Sequence, residues 1–123
     1  MDSNFLLIGA LAGFLGVALG AFGAHGLRGR LSPEMLAVFE TGVRYQMYHA
    51  LALLLTAAAI GRIGGARLLV VAGWCFVAGI VLFSGSLYAL ALTGVSKLGA
   101  ITPIGGLAFL IGWACLAIFA AAR

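Results

Sequence analysis

Four long apolar runs, separated by short polar segments, determine what this chain is able to fold into. They cover about residues 5–24, 45–60, 68–92 and 99–122, and none contains an Asp, Glu, Lys or Arg side chain. A helix needs about 20 apolar residues to cross the hydrocarbon core of a bilayer. Membrane barrel strands alternate polar and apolar residues, which these runs do not. The pattern predicts an all-α integral membrane protein, a bundle of four transmembrane helices.

The composition favours the same environment. Hydrophobic residues make up 64% of the 123 residues and charged residues 8%, whereas a soluble domain carries about 25% charged residues. The seven basic residues are too scattered for a nucleic-acid-binding stripe, but they suit anchoring of helix ends to phospholipid head groups. We expect membrane lipids and no nucleic acid as partners, and one membrane domain over residues 1–123 with a polar connection at 25–44.

The second helix is predicted to begin well before its apolar run. Ser32 suits an N-cap, Pro33 suits the first helical position, and Glu34 suits the positive end of the helix. Nothing forces a break before Gly61, so one helix over residues 33–60 would measure about 42 Å at 1.5 Å per residue. That exceeds the hydrocarbon core of about 30 Å. The first turns are therefore expected to protrude from the membrane or to lie in the interface.

The first run follows Asp2 without a basic segment, which favours a retained span over a cleaved signal peptide. Four spans bring both termini to one side of the membrane. Three basic side chains lie on that side and four lie on the other. The positive-inside rule does not fix the orientation from so small a difference.

The first run carries glycines at spacings of four, three, four and three, which places them on one stripe of a helix. Such a stripe allows a neighbouring helix to approach closely. It would serve packing within the bundle, or it would form a groove for an external helix or a lipid chain. The stripe consists of Gly9, Gly13, Gly16, Gly20 and Gly23.

The second helix carries the best candidate site. Glu40 and Arg44 are four residues apart and would pair on one face, while Tyr45 and Gln46 lie within one turn of His49. Polar groups at membrane depth often indicate a functional site. The alternative is a structural role, in which these residues form a salt bridge and anchor the end of the helix. We expect His49 to be neutral and bonded to a tyrosine or a carbonyl. His25, at the end of the first span, would approach this helix across the bundle.

Ser84, Ser86 and Tyr88 interrupt the third run, and Thr102 with Pro103 opens the fourth. Serine and threonine in spans usually bond a neighbouring helix or the preceding turn, and Thr-Pro suits a helix start. These residues are therefore predicted to start a helix or to hold neighbouring helices together by hydrogen bonds. Ser84 and Tyr88 would also belong to the candidate binding site.

Catalytic and cofactor motifs are absent from the sequence. No Walker loop, dinucleotide fingerprint, serine triad or HExxH occurs, and the three acids offer few partners for acid–base catalysis. Cys75 and Cys115 lie in apolar runs and read as small core residues. We expect no cofactor, no metal ion and no enzymatic activity.

Several segments carry a resemblance that spans nearly the whole chain. They include GAHGL at 23–27, FETGVRYQMYHALAL at 39–53, LFSGSLY at 82–88, TPIGG at 102–106 and GW at 112–113. Together they resemble the family known as domain of unknown function 423, or transmembrane protein 256. The resemblance implies a small multi-pass membrane protein, found in bacteria and in organelle-bearing cells. A bacterial cell (inner) membrane is the expected location.

The resemblance also implies a shared set of polar positions but no reaction. It favours a common polar site between the first three helices. The shared polar positions are His25, Glu40, Thr41, Arg44, Tyr45, Gln46, His49, Ser84, Ser86, Tyr88, Thr102 and Pro103.

Three functions follow as hypotheses. The first is an accessory component that packs against a larger membrane complex, or against itself as a homo-oligomer. The second is a stand-alone protein that binds or transports a lipid head group or a small polar solute at Glu40, Arg44, Tyr45 and His49. The third, an enzyme acting on lipid, has the least support.

Overall fold

The computed structural model describes residues 2–123, with side chains from residue 4 onwards, and every regular element in that range is helical. The predicted domain, residues 1–123, thus begins one residue before the described part. Helix α1 spans Asp2–Phe22, α2 Pro33–Ile63, α3 Arg67–Gly79, α4 Gly85–Thr93 and α5 Thr102–Ala121. Two π turns, Gly23–Leu27 and Ile80–Ser84, and a 3₁₀ turn, Ser96–Ala100, lie between them.

Three segments are long and apolar enough to cross a membrane: Asn4–Leu27, Arg67–Thr93 and Ser96–Ala121. The second of these joins α3, the π turn Ile80–Ser84 and α4 into one continuous helix. They correspond to the first, third and fourth predicted spans. The fold is therefore a helical bundle with at least three helices that fit a bilayer.

Helix α2 has 31 residues, which makes it about 46 Å long at 1.5 Å per residue. The Ser32 hydroxyl accepts a hydrogen bond from the Met35 amide at 3.1 Å, and Pro33 follows the cap. The predicted helix start is confirmed, and the helix ends three residues later than expected. Gly64 terminates it with φ 107°, a conformation that residues with a Cβ rarely adopt.

Helix α2 is the centre of the bundle. It packs along α1 on one side and against α3 and α4 on the other, while α5 packs mainly on α3. The main core lies between these layers and includes Phe5, Leu53, Leu69, Phe76 and Phe109. A smaller core at the other end holds Leu27, Phe39 and Ala91.

The glycine stripe of α1 faces α2, and the two helices run antiparallel. A Cβ at Gly9 would lie 3.0 Å from the Leu53 Cβ, and a Cβ at Gly23 would lie 3.0 Å from the Phe39 ring. Gly16 and Gly20 face Met47 and Val43 in the same way. The stripe therefore lets α1 and α2 approach closely, which is how small residues join membrane helices.

Candidate functional site

The polar side chains of α2 point in three directions rather than towards one site. Gln46 faces α1 and α4, His49 faces α5, and Glu40 and Arg44 lie on the outer surface. Consecutive residues of a helix are about 100° apart, so neighbours in the sequence reach different faces. The candidate residues form separate local arrangements, described in turn below.

Gln46 links three helices at a buried position. Its Nε2 donates a hydrogen bond to the Ala12 carbonyl of α1 at 2.8 Å, and its Oε1 accepts one from the Tyr88 hydroxyl of α4 at 2.6 Å. Buried amides need such partners because an unmade bond is costly away from water. The geometry describes a structural clamp across the bundle.

Ser84 closes the contact between α2 and the end of the π turn. Its hydroxyl is fully buried and donates to the Gly42 carbonyl at 2.7 Å. The helices approach so closely that a Cβ on Gly42 would lie 2.7 Å from the Tyr88 ring. Nearby, the Ser86 and Thr102 hydroxyls share a hydrogen bond between α4 and α5. These contacts are the interhelical bonds predicted for the serines.

His49 uses both ring nitrogens within the bundle. Its Nδ1 lies 2.7 Å from the Tyr45 carbonyl, which only accepts, and its Nε2 lies 3.0 Å from the Trp113 Nε1, which only donates. The hydrogen must therefore be on Nδ1, and the ring is the neutral tautomer. The expected carbonyl partner is present, and neither nitrogen remains free for a metal ion or a substrate proton.

An aromatic wall surrounds His49. Its ring stacks on Phe109 with centroids 3.5 Å apart and planes 8° apart. Tyr45 packs against Phe83 at 4.8 Å, and Trp113 packs against Phe76 at 5.1 Å. A groove of about 440 Å³ opens beside this wall towards the outside of the bundle. Its lining is almost entirely apolar and suits a hydrocarbon or another helix.

Glu40 and Arg44 were predicted to pair, and the structure does not pair them. Both side chains are exposed, and within residues 4–123 neither has a hydrogen-bond or ion-pair partner. They line instead a groove of about 380 Å³ with Met47 and Tyr48. An exposed pair four residues apart contributes only about 0.3–0.5 kcal/mol, so little holds the two charges together.

His25 lies apart from the other candidates. It is exposed in the π turn Gly23–Leu27, and its side chain bonds no residue of the described part. The expected approach of His25 to α2 is wrong, because the π turn directs it outwards. The part of the chain with described side chains also contains no group of three His, Cys, Asp or Glu residues able to hold a metal ion.

Two residues of this region escaped the sequence reasoning. Trp113 is the second partner of His49, and Phe109 is the ring on which His49 stacks. A tryptophan N–H that faces the inside of a bundle usually has an acceptor, and for Trp113 this signal points to a histidine or a carbonyl. The sequence alone does not show which of them lies opposite Trp113, because the pairing depends on how α5 packs.

Known proteins resemble the chain over most of its length. The model of the family "Protein of unknown function (DUF423)" matches residues 19–106. The UPF0382 membrane protein YwdK of Bacillus subtilis (strain 168) is 51% identical over 116 residues, which cover 94% of each chain. A UPF0382 membrane protein of Staphylococcus haemolyticus is 53% identical over 93% of this chain and 92% of its own. No solved structure matches the chain.

Proposed function

Because the chain belongs to the family "Protein of unknown function (DUF423)", whose relatives are named as membrane proteins, we propose a role for it within the membrane. The protein is a four-span accessory component of the bacterial cell membrane, and it acts through its outer surface against a larger membrane partner. Its relatives in Bacillus and Staphylococcus support the location. The proposal includes no catalytic step.

One observation carries this proposal: in the part of the bundle whose side chains are described, no buried polar group is left to bind a ligand. In the described part, every buried side-chain nitrogen or oxygen has a hydrogen-bond partner. Gln46, Ser84 and His49 each bond a neighbouring helix. A transport path or a reaction centre needs polar groups that are free to meet a substrate. The polar groups of the interior therefore stabilise the bundle, and the proposed function belongs to the outer surface.

The neutral, doubly bonded His49 also argues against catalysis. A general base needs a free nitrogen within reach of the substrate proton, and both nitrogens of His49 are in use. Glu34 and Glu40 are exposed on α2, where their carboxylates have the environment of surface groups. These features support a non-enzymatic component.

Two outer faces are available to a partner. Phe14 on α1 is 73% exposed and Leu110 on α5 is 68% exposed, and the two positions lie on different sides of the bundle, since α1 packs on α2 and α5 packs mainly on α3. Most of the predicted glycine stripe packs on α2, although Gly13 has open space beside it and lines a groove between α1 and α2.

Site-specific photocrosslinking in the native membrane tests the proposal. A photoreactive phenylalanine replaces Phe14 in one variant and Leu110 in the other, and each serves as the control for the other. We expect one position to give a single protein adduct, identified by mass spectrometry, while the other gives lipid adducts. Lipid adducts alone at both positions contradict an accessory role, and adducts to the same chain make the protein a homo-oligomer instead.

A second candidate is a binding protein for a lipid head group or a small polar solute. The four residues first considered for it are now divided, since Tyr45 and His49 belong to the aromatic wall. Glu40 and Arg44 favour this candidate, because both charges are exposed and unpaired within the described part of the chain.

A further inference from the structure

Two grooves between α1 and α2 adjoin at Met47 on the outer face of the bundle, and together they are called here the α1–α2 groove. The apolar part holds about 500 Å³ and is lined by residues that include Gly13, Val17, Met47 and Leu54. The polar part holds about 380 Å³ and is lined by residues that include Glu40, Arg44 and Met47. Met47 borders both parts. Ligand pockets in proteins commonly hold 300–1,000 Å³, so the groove is large enough for part of a lipid.

The proposed four-span arrangement, in which α2 crosses the bilayer, would place the mouth of the groove at head-group depth. Arg62, near the end of α2, and Arg44 are separated by 18 residues, which is about 27 Å along the helix at 1.5 Å per residue. The hydrocarbon core is about 30 Å thick. With Arg62 anchored at one interface, Arg44 lies close to the other, among phosphates.

The apolar part of the groove extends over about the depth of one leaflet of the bilayer. Leu54 lies ten residues beyond Arg44, about 15 Å along the helix and therefore about half of the hydrocarbon core. This is the depth that one acyl chain occupies when its head group is at Arg44. A polar mouth and an apolar channel of one-leaflet length match a lipid better than a soluble solute.

Gly13 is the place where the glycine stripe opens. A Cβ there would meet only the Ala50 Cβ, at 4.0 Å, whereas a Cβ at Gly9 would lie 3.0 Å from the Leu53 Cβ. The space beside Gly13 therefore belongs to the groove and not to the contact between the helices. Met47 at the junction is an unbranched side chain that adapts to irregular surfaces.

The two charges at the mouth define the head group. A guanidinium binds phosphate through two parallel hydrogen bonds, and a carboxylate four residues away binds an ammonium group. Glu40 and Arg44 are exposed and have no partner within the described part of the chain. An anionic head group without an amine would satisfy Arg44 and be repelled by Glu40. A zwitterion that carries both a phosphate and a primary ammonium satisfies both, because its N–H groups donate hydrogen bonds to the Glu40 carboxylate, which a quaternary choline nitrogen cannot do.

We propose that the α1–α2 groove binds a phospholipid with an ethanolamine head group. Its phosphate lies on Arg44, its ammonium on Glu40, and one acyl chain lies along Gly13 and Met47. This assignment rests on the second candidate function and names its ligand. It does not depend on the accessory role, which concerns proteins rather than lipids.

Lipid titration followed by native mass spectrometry tests the site. The protein is purified in mild detergent, stripped of lipid and titrated with phosphatidylethanolamine, phosphatidylglycerol or phosphatidylcholine of identical acyl chains. We expect the first one-to-one complex with phosphatidylethanolamine to form several-fold more tightly than with the other two. Equal binding of all three lipids overturns the assignment of the head group.

Two charge variants separate recognition from general lipid contact. Arg44→Gln is expected to weaken phosphatidylethanolamine about tenfold, the loss of one charge-assisted contact. Glu40→Gln is expected to weaken phosphatidylethanolamine and to strengthen phosphatidylglycerol, because the repulsion is removed. The matched controls Arg62→Gln and Glu34→Gln change exposed charges of α2 outside the groove. A head group held by Arg62 would lie at the other interface, so neither control should weaken the tightest one-to-one complex with phosphatidylethanolamine. Controls that lose as much as the groove variants overturn the site.

Gly13→Leu tests the acyl-chain channel independently of charge. A Cβ at Gly13 would meet only the Ala50 Cβ, at 4.0 Å, and the rest of the leucine side chain is expected to extend into the groove. The variant should therefore keep its helical circular dichroism while binding phosphatidylethanolamine more weakly. Unchanged binding in this variant places the acyl chain elsewhere. A failure to find any protein partner in the crosslinking experiment leaves these lipid results untouched. Phe14 also lines the apolar part of the groove, so a protein adduct at Phe14 would overturn the lipid assignment, whereas an adduct at Leu110 would not affect it.

Discussion

Single residues show how this bundle holds polar groups at membrane depth. His49 and Gln46 are both buried, and each side chain makes two hydrogen bonds. Both bonds of Gln46 reach other helices, whereas His49 bonds Trp113 of α5 and the Tyr45 carbonyl of α2 itself. Removing one partner leaves the other group buried and unpaired, which costs more than the net gain of the original bond. The structure therefore predicts that substituting a hydrogen-bond partner of His49 or Gln46 destabilises the protein as much as substituting His49 or Gln46 itself.

Trp113→Phe provides a test at this scale. The substitution removes the donor to the His49 Nε2 and should lower the free energy of unfolding by about 1–3 kcal/mol. The measurement is unfolding in mixed detergent micelles, followed by circular dichroism.

Trp74→Phe is the matched control. Trp74 is 45% exposed, like Trp113 at 44%, and its ring packs on Phe5 without an indole hydrogen bond to a described residue. Its effect should remain within about 0.5 kcal/mol, as for most surface substitutions. Equal losses in both variants would show that the bond to His49 adds no stability.

Among the elements, the π turn Ile80–Ser84 shapes the centre of the bundle. A π turn adds a residue to a helix and so rotates the residues that follow it. Ser84 ends this turn and reaches the Gly42 carbonyl of α2. Phe83 lies within it, and its backbone meets Gly105 of α5. The turn thus brings α2 and α5 against the same helix.

Gly105→Ala should disrupt this contact. Its Cβ would lie 2.7 Å from the Phe83 Cα and 2.8 Å from the Phe83 Cβ, so α5 must move away from the backbone of the π turn. Overpacking of this kind typically costs about 1–3 kcal/mol, and thermal unfolding in detergent should show a lower midpoint.

Gly106→Ala is the neighbouring control. Its Cβ would meet nothing closer than the Phe83 ring at 3.8 Å, and alanine favours the helix over glycine. The midpoint should stay the same or rise. If both variants have the same unfolding midpoint, α5 does not pack tightly against the π turn.

The whole molecule raises the question of how many times it crosses the bilayer. Three segments are apolar enough to cross by composition, and α2 is not among them. Yet α2 packs along α1 and against α3 and α4, and its polar residues inside the bundle are bonded. Burial in the bundle removes the need for an apolar surface on every side.

A topology measurement decides between three and four crossings. With four, both termini lie on one side of the membrane, so reporter fusions at the N-terminus and C-terminus should report the same compartment. Cysteines introduced at the exposed Arg30 and Gly65, in a background without Cys75 and Cys115, should be labelled from opposite sides. Termini on opposite sides would contradict a spanning α2.

Much of the fold could be predicted from the amino-acid sequence. Apolar runs indicated the positions of the helices that fit a bilayer, and Ser32, Pro33 and Glu34 indicated the start of α2. These are local properties, because hydrophobic length, proline geometry and capping act within a few residues of the chain. The family could also be recognised from its motifs, and the family match agrees.

The candidate site needed the tertiary structure. The sequence placed His25, Glu40, Arg44, Gln46 and His49 in one cluster, whereas the fold separates them onto different faces. Which groups are bonded and which stay free depends on helix rotation, on the π turn and on contacts between residues up to 64 positions apart, as for Trp113 and His49. Local sequence fixed the helices because their signals are short-range; only packing decided which polar groups hold the bundle together and which face the lipid.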